Sequence, residues 1–131
     1  MTSSSSPAST APPAHSAYGV HIAMECRGCR AELLTNREAL GAALREAATI
    51  AGATVVDSLL HQYNPAGLSG VVVIQESHLA IHTWPEIGYA SFDIYTCGQP
   101  EIAEKIAQEL LKRFQPEKTT RTLLHRQPPE E

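Results

Sequence analysis

Four consecutive apolar residues, Val71-Val72-Val73-Ile74, constrain this chain more than any other stretch. Successive side chains on a strand point to opposite faces, so a strand that is apolar at every position needs cover on both of them. Turn chemistry bounds the run. Asn64-Pro65-Ala66-Gly67 precedes it and the quartet Gln75-Glu76-Ser77-His78 follows it. The chain must therefore build a sheet around residues 69–75 and find a layer for each side of it.

The rest of the sequence supplies the sheet and only one of those layers. Tyr18 to Cys26 alternates through Val20, Ile22 and Met24 and reads as a first strand. Thr35-x-x-Glu38 has the form of a capping box. It opens a helix whose apolar stripe is Leu40, Ala43, Leu44, Ala47 and Ile50, with Gly52 just past its end. Residues 53–63, 69–75, 78–83 and 89–96 read as four further strands. Pro100 opens a second helix with Ile102, Ile106, Leu110 and Phe114 on one stripe, and residues 119–125 form a last strand. The order βαββββαβ, with short connections between most strands, predicts an α+β fold. It is a two-layer sandwich whose mainly antiparallel sheet carries two helices on one face. The uncovered face calls for a second copy of the chain.

At 131 residues the chain holds one domain, expected over residues 17–126. Residues 1–16 are rich in Ser, Thr, Ala and Pro without apolar periodicity, which predicts a disordered extension rather than a signal peptide. Residues 127–131 are expected to be a flexible tail. No apolar run reaches the ~18 residues of a membrane span. A net charge of -4 argues against nucleic acid and anionic membranes. Three cysteines without a secretory signal indicate a reducing cytoplasm. Cys26-x-x-Cys29 has the spacing of half a zinc site or a redox pair. No second such pair follows, and His21 is the only further ligand nearby, so the reading adopted is packing at a strand end with no metal.

The chemistry-bearing residues crowd into what otherwise reads as sheet core: Glu76, Ser77, His78, His82, Trp84, Glu86 and Cys97. Polar reactive groups set among buried strands are costly unless satisfied or used. A serine between two strands is ordinarily a turn residue. Ser77 can also act on its own backbone: its Oγ attacks the Glu76 carbonyl and converts the peptide to an ester. Loss of the Ser77 α-proton then expels the ester oxygen, cuts the chain and leaves a dehydroalanine that hydrolyses to a pyruvoyl group. His82 has the chemistry of the base and Ser69 that of a hydroxyl proton source. Ser77 and His82 stand five positions apart, on opposite sides of an ideal strand and ~16 Å from one another. They cannot meet unless the chain bends near Ser77. The quartet 75–78 lacks the Gly or Asn usual in a hairpin connection, which fits a strained connection meant to break.

Glu76-Ser77-His78, Ile81-His82-Thr83-Trp84-Pro85-Glu86, Gly88-Tyr89-Ala90 and Asp93 through Cys97-Gly98 resemble the prokaryotic form of S-adenosylmethionine decarboxylase. The resemblance extends more weakly from about Gly19 to Leu124. It implies the two-layer sandwich, a homodimer, and self-processing by Ser77, His82 and Ser69 with cleavage after Glu76. It also implies a pyruvoyl cofactor derived from Ser77, which forms a Schiff base with the substrate amine and acts as an electron sink when carbon dioxide leaves. Cys97 would return a proton to the α-carbon; taken alone, it reads as a small buried hydrophobe. The product would serve spermidine synthesis. An adenine ring and a sulfonium both favour aromatic faces, and a carboxylate can accept two ribose hydroxyls. Tyr63, Trp84 and Glu86 fit these tasks, although Trp84 fits core packing equally well. The family often has phenylalanine at the position of Tyr63 and tyrosine at that of Ile87. Two chains are implied at each site, with the Tyr63 segment facing the partner's pyruvoyl group. The alternatives are the same fold and cofactor acting on ornithine or arginine, and a non-processing regulatory homologue.

Overall fold

A computed structural model describes residues 16–130 of the chain. All but Ser16 of the expected N-terminal extension, together with Glu131, lies outside the described residues. Six strands form one antiparallel sheet, in the spatial order β2-β3-β4-β5-β1-β6. They are β1 (Gly19–Arg27), β2 (Val55–Gln62), β3 (Leu68–Ile74), β4 (Ser77–Trp84), β5 (Tyr89–Cys97) and β6 (Lys118–Arg126). Helices α1 (Ala31–Thr35), α2 (Arg37–Ile50) and α3 (Pro100–Phe114) complete the elements, with a 3-10 turn at Pro85–Ile87. The two-layer α+β architecture is the one expected from the sequence.

Alternation decides which side of each strand enters the core. Ile22 and Met24 of β1, Val72 and Ile74 of β3, Leu79 and Ile81 of β4, and Phe92 and Ile94 of β5 are buried beneath the helices. Removing a side chain of this size from water contributes ~1.5–3 kcal/mol. Phe114 of α3 meets Phe92 edge to face, with ring centroids 4.9 Å apart. Arg121 on the edge strand β6 ties that strand to Glu104 of α3 through both guanidinium amines, and this pairing holds the Glu104 carboxyl below its ordinary range.

Three local expectations need correction. The helical layer contains a third, short helix, α1. Its Leu33 and Leu34 are buried, and Thr35 ends it rather than capping α2. The cap of α2 is Asn36, whose side chain accepts from the Ala39 amide at 3.0 Å. Asn holds an N-cap as well as Thr does, so a one-residue shift leaves the helix intact. Ile50 is exposed and Ala48 and Ala51 are buried, because Leu40, Leu44, Ala47, Ala48 and Ala51 define the inward arc and Ile50 stands at its flank. Finally, Ser77 belongs to β4 rather than to the connection before it. It pairs with Ile74 on one side and Thr96 on the other.

The second face of the sheet carries no helix. Leu59, Val73, Trp84 and Leu124 are exposed large hydrophobics, and of the four residues of the apolar run only Val72 and Ile74 are buried. The other half of the run, Val71 and Val73, belongs to the open face.

Candidate active site

The connection between β3 and β4 is two residues long, Gln75-Glu76. Glu76 has φ +65°, and Gln75 is not among the positive-φ residues. A positive φ at the second central residue alone is the type II pattern, which ordinarily takes glycine there. Hairpins of this length favour the primed turns, whose twist matches the strands. A non-glycine residue held in this region costs about 1–3 kcal/mol and persists only where its surroundings fix it. Here they do. The Gln75 amide donates to the Thr54 carbonyl at 2.9 Å, and the Glu76 carbonyl accepts from the Cys97 amide at 3.3 Å. The Glu76-Ser77 peptide therefore sits at a strained corner, with its carbonyl oxygen already facing a donor. Ser77, Glu76 and Cys97 share a cleft of about 180 Å³ with Thr54, Gln75, Thr96 and Gln99. The Cys97 side chain is buried, and its neighbour on β1 is Gly19. A Cβ on Gly19 would lie 2.6 Å from the Tyr95 hydroxyl, so only glycine lets that phenol lie beside Cys97. Interaction with the Cys97 thiol, with burial adding to it, pushes the Tyr95 phenol above its ordinary pKa.

The remaining expected residues gather elsewhere. β4 runs unbroken from Ser77 to Trp84, without the bend that would bring Ser77 to His82. Ser77 lies on the helix-covered side with Leu79 and Ile81, while His82 projects from the open side between buried Ile81 and Thr83. Ser69 is the cross-strand neighbour of His82, and its hydroxyl is 3.0 Å from that of Tyr63. Tyr63, His82, Trp84 and Glu86 line one open cleft of about 340 Å³, together with Ala66, Gly67, Leu68 and Thr83. The expected residues thus form two groups: Glu76, Ser77 and Cys97 at one end of β4, and Tyr63, Ser69, His82, Trp84 and Glu86 at the other. Ile87 joins neither group and lines a separate cleft with Cys26 and Tyr89.

Several supporting residues were not singled out by spacing alone. Thr83 is buried; its hydroxyl accepts from the Leu68 amide and donates to the Leu34 carbonyl, both at 2.9 Å. It locks β3, α1 and β4 together directly ahead of Trp84-Pro85-Glu86. A Thr83→Val chain should lose about 1–3 kcal/mol of stability in denaturant unfolding, because two backbone groups are left buried without their partner. The available signal was a hydroxyl at an inward position of an otherwise apolar strand face. Tyr89 stacks on Trp84, with centroids 4.8 Å apart and planes 15° apart, and donates to Glu25 at 2.9 Å. Burial, reinforced by that carboxylate, pushes its phenol upward. Trp84 therefore combines packing with cleft lining. Gly88, at φ +66°, ends the 3-10 turn, and its carbonyl accepts from the amides of Gly28 and Cys29. The Cys26-Cys29 turn thus buttresses the segment carrying Glu86. Cys29 lowers the Cys26 pKa by hydrogen bonding, and its own is raised by the same contact. Among the described residues no group of three metal-ligating side chains gathers.

Comparison with known proteins defines first the class. A solved adenosylmethionine decarboxylase from Aquifex aeolicus superposes with a TM-score of 0.81 at 32% identity, over 88% of this chain and 96% of that one. The chain therefore has the α+β fold of that decarboxylase, and the profile of the S-adenosylmethionine decarboxylase family matches residues 20–127. The chain belongs to that family. It is 46% identical over 110 residues to the S-adenosylmethionine decarboxylase proenzyme of Acetivibrio thermocellus, which is 84% of this chain and 89% of the relative. The proenzyme of Caldicellulosiruptor saccharolyticus is 53% identical over 99 residues, 73% of this chain and 80% of that one. No helix among the described residues is long and apolar enough to cross a membrane.

Proposed function

We propose that this chain is a self-cleaving proenzyme that converts S-adenosylmethionine to its decarboxylated form, the aminopropyl donor for spermidine, in the cytoplasm. The observation that carries this reading is the strained Glu76-Ser77 corner, its carbonyl held by the Cys97 amide at 3.3 Å, in a chain of this family. Ser77 Oγ attacks the Glu76 carbonyl carbon, and the Cys97 N–H stabilises the oxyanion that develops there. Breaking the C–N bond leaves an ester and relieves the left-handed strain at Glu76. A base removes the Ser77 α-proton, the Glu76 carboxylate leaves from Cβ, and the dehydroalanine takes up water and loses ammonia. The residues around Ser77 fit the pyruvoyl group that results, a group that supplies an electrophilic carbonyl and a sink for electrons when carbon dioxide departs. Cys97 Sγ then gives its proton to the substrate α-carbon.

His82 and Ser69 serve Ser77 of a second chain in this reading. The open face, with Leu59, Val73, Trp84 and Leu124 exposed, supports a homodimer in which two sheets pack together. A two-fold axis near Ala80, midway along β4, exchanges the two ends of that strand. It brings Tyr63, Ser69, His82, Trp84 and Glu86 of one chain toward Ser77 and Cys97 of its partner. The Tyr63 and Trp84 rings are then platforms for the adenine and the sulfonium, and Glu86 accepts from the ribose hydroxyls. The free thiols of Cys26, Cys29 and Cys97 accord with a reducing cytoplasm.

Intact mass of the purified protein should show two chains, one ending at Glu76 and one beginning with a blocked pyruvoyl group. Carboxyl-labelled S-adenosylmethionine should then release carbon dioxide, while labelled ornithine and arginine should not. An active protein of full length with unmodified Ser77 would overturn the reading.

A further inference from the structure

The Tyr63 hydroxyl lies 3.0 Å from Ser69 Oγ. The surroundings fix this contact. The Tyr63 amide donates to the Gly67 carbonyl at 2.9 Å, which pins the residue where the β2–β3 turn closes. The His61 ring meets the Tyr63 ring edge-on, with centroids 4.8 Å apart. Ser69 itself stands between His61 on β2 and His82 on β4 in the cross-strand register. A row of polar groups thus crosses three strands, with the phenol at its end.

We propose that Tyr63 Oη is a positioning group for self-cleavage: it orients the Ser69 hydroxyl toward the Ser77 ester of the partner chain. The inference rests on the role of Ser69 as a proton source given above. A serine hydroxyl otherwise samples three χ1 wells and a free O–H rotor. A phenol donating into Ser69 Oγ occupies one acceptor site and holds the rotamer. It leaves the serine's own proton as the donor to the reaction and polarises it toward transfer. The tyrosine ring meanwhile remains available to the nucleoside, so one residue serves maturation through its oxygen and substrate binding through its face.

The test is the rate at which full-length precursor disappears on a denaturing gel, measured for Tyr63→Phe, Ser69→Ala and the double variant. Loss of one orienting hydrogen bond should slow Tyr63→Phe cleavage about threefold to tenfold. Ser69→Ala should be slowed at least as much, and adding Tyr63→Phe to it should slow cleavage no further, since the phenol acts only through the serine. Tyr63→Ala should slow cleavage about as much as Tyr63→Phe but raise the KM of the matured fraction far more. Tyr63→Phe cleaving at the parental rate while Ser69→Ala is slow would overturn this inference alone. Equal slowing by Tyr63→Phe in both backgrounds would overturn it as well, by showing a merely structural effect. Ser69→Ala at the parental rate would overturn both this inference and the role of Ser69 on which it rests.

Discussion

A Ser77→Ala chain should purify as a single uncut polypeptide and release no carbon dioxide from S-adenosylmethionine. The expected loss is more than about 1,000-fold, because in the proposed mechanism the substitution removes the nucleophile and the precursor of the prosthetic group together rather than weakening one interaction. Folding should survive. Ser77 opens β4 at the rim of the sheet, and Ala keeps the backbone pairing with Ile74 and Thr96. Stability should match that of the uncut parent, since the strained φ of Glu76 is present in both. Intact mass, carbon dioxide release and denaturant unfolding on the same preparation check all three statements. An active, cleaved Ser77→Ala protein would move the site elsewhere in the chain.

The second large effect is a recovery. Ser77→Ala and His82→Ala homodimers should both remain uncut. Chains carrying the two substitutions, co-expressed with different tags and purified as mixed dimers, should cleave, and only the His82→Ala chain should be cut. Its intact Ser77 meets the intact His82 of the partner, whereas the other site holds both lesions. Up to about half of the sites in mixed dimers should mature, by the counting that two-fold symmetry imposes. The prediction rests on the proposed dimer and on one geometric fact: β4 runs unbroken from Ser77 to Trp84, so Ser77 and His82 lie on opposite sides of the sheet and ~16 Å apart. Verified mixed dimers that stay uncut would mean that each chain assembles its site alone.

That fact shows how far the sequence was legible. Val20, Ile22 and Met24, or Leu40, Leu44 and Ala47, declare their buried faces through spacing alone, because strand and helix periods are local properties of the backbone. Ser77 was less legible: the quartet 75–78 reads as a connection that bends toward His82, whereas β4 runs unbroken from Ser77. The cap of α2 was misplaced by one residue because Thr35 and Asn36 are both competent caps, and the choice depends on where α1 ends. Helix α1, only five residues long, has too little periodicity to announce itself before Leu33 and Leu34 find the core.

The chemistry-bearing residue types, their order and the identity of the family were determined by the sequence itself. So were the six strands, the two long helices and the need for cover on a second face of the sheet. The tertiary structure decided which of those residues meet. Cys97 reaches the Glu76 carbonyl because β5 pairs with β4 in a register that sets Thr96 against Ser77. Ser69 falls beside His82, and Thr83 beneath Leu34, for the same kind of reason. A strand's pattern specifies which face a side chain takes, but its partner across the sheet is chosen by register. Register is set by the turns and by the packing of the whole inward face, and no short stretch of sequence contains either.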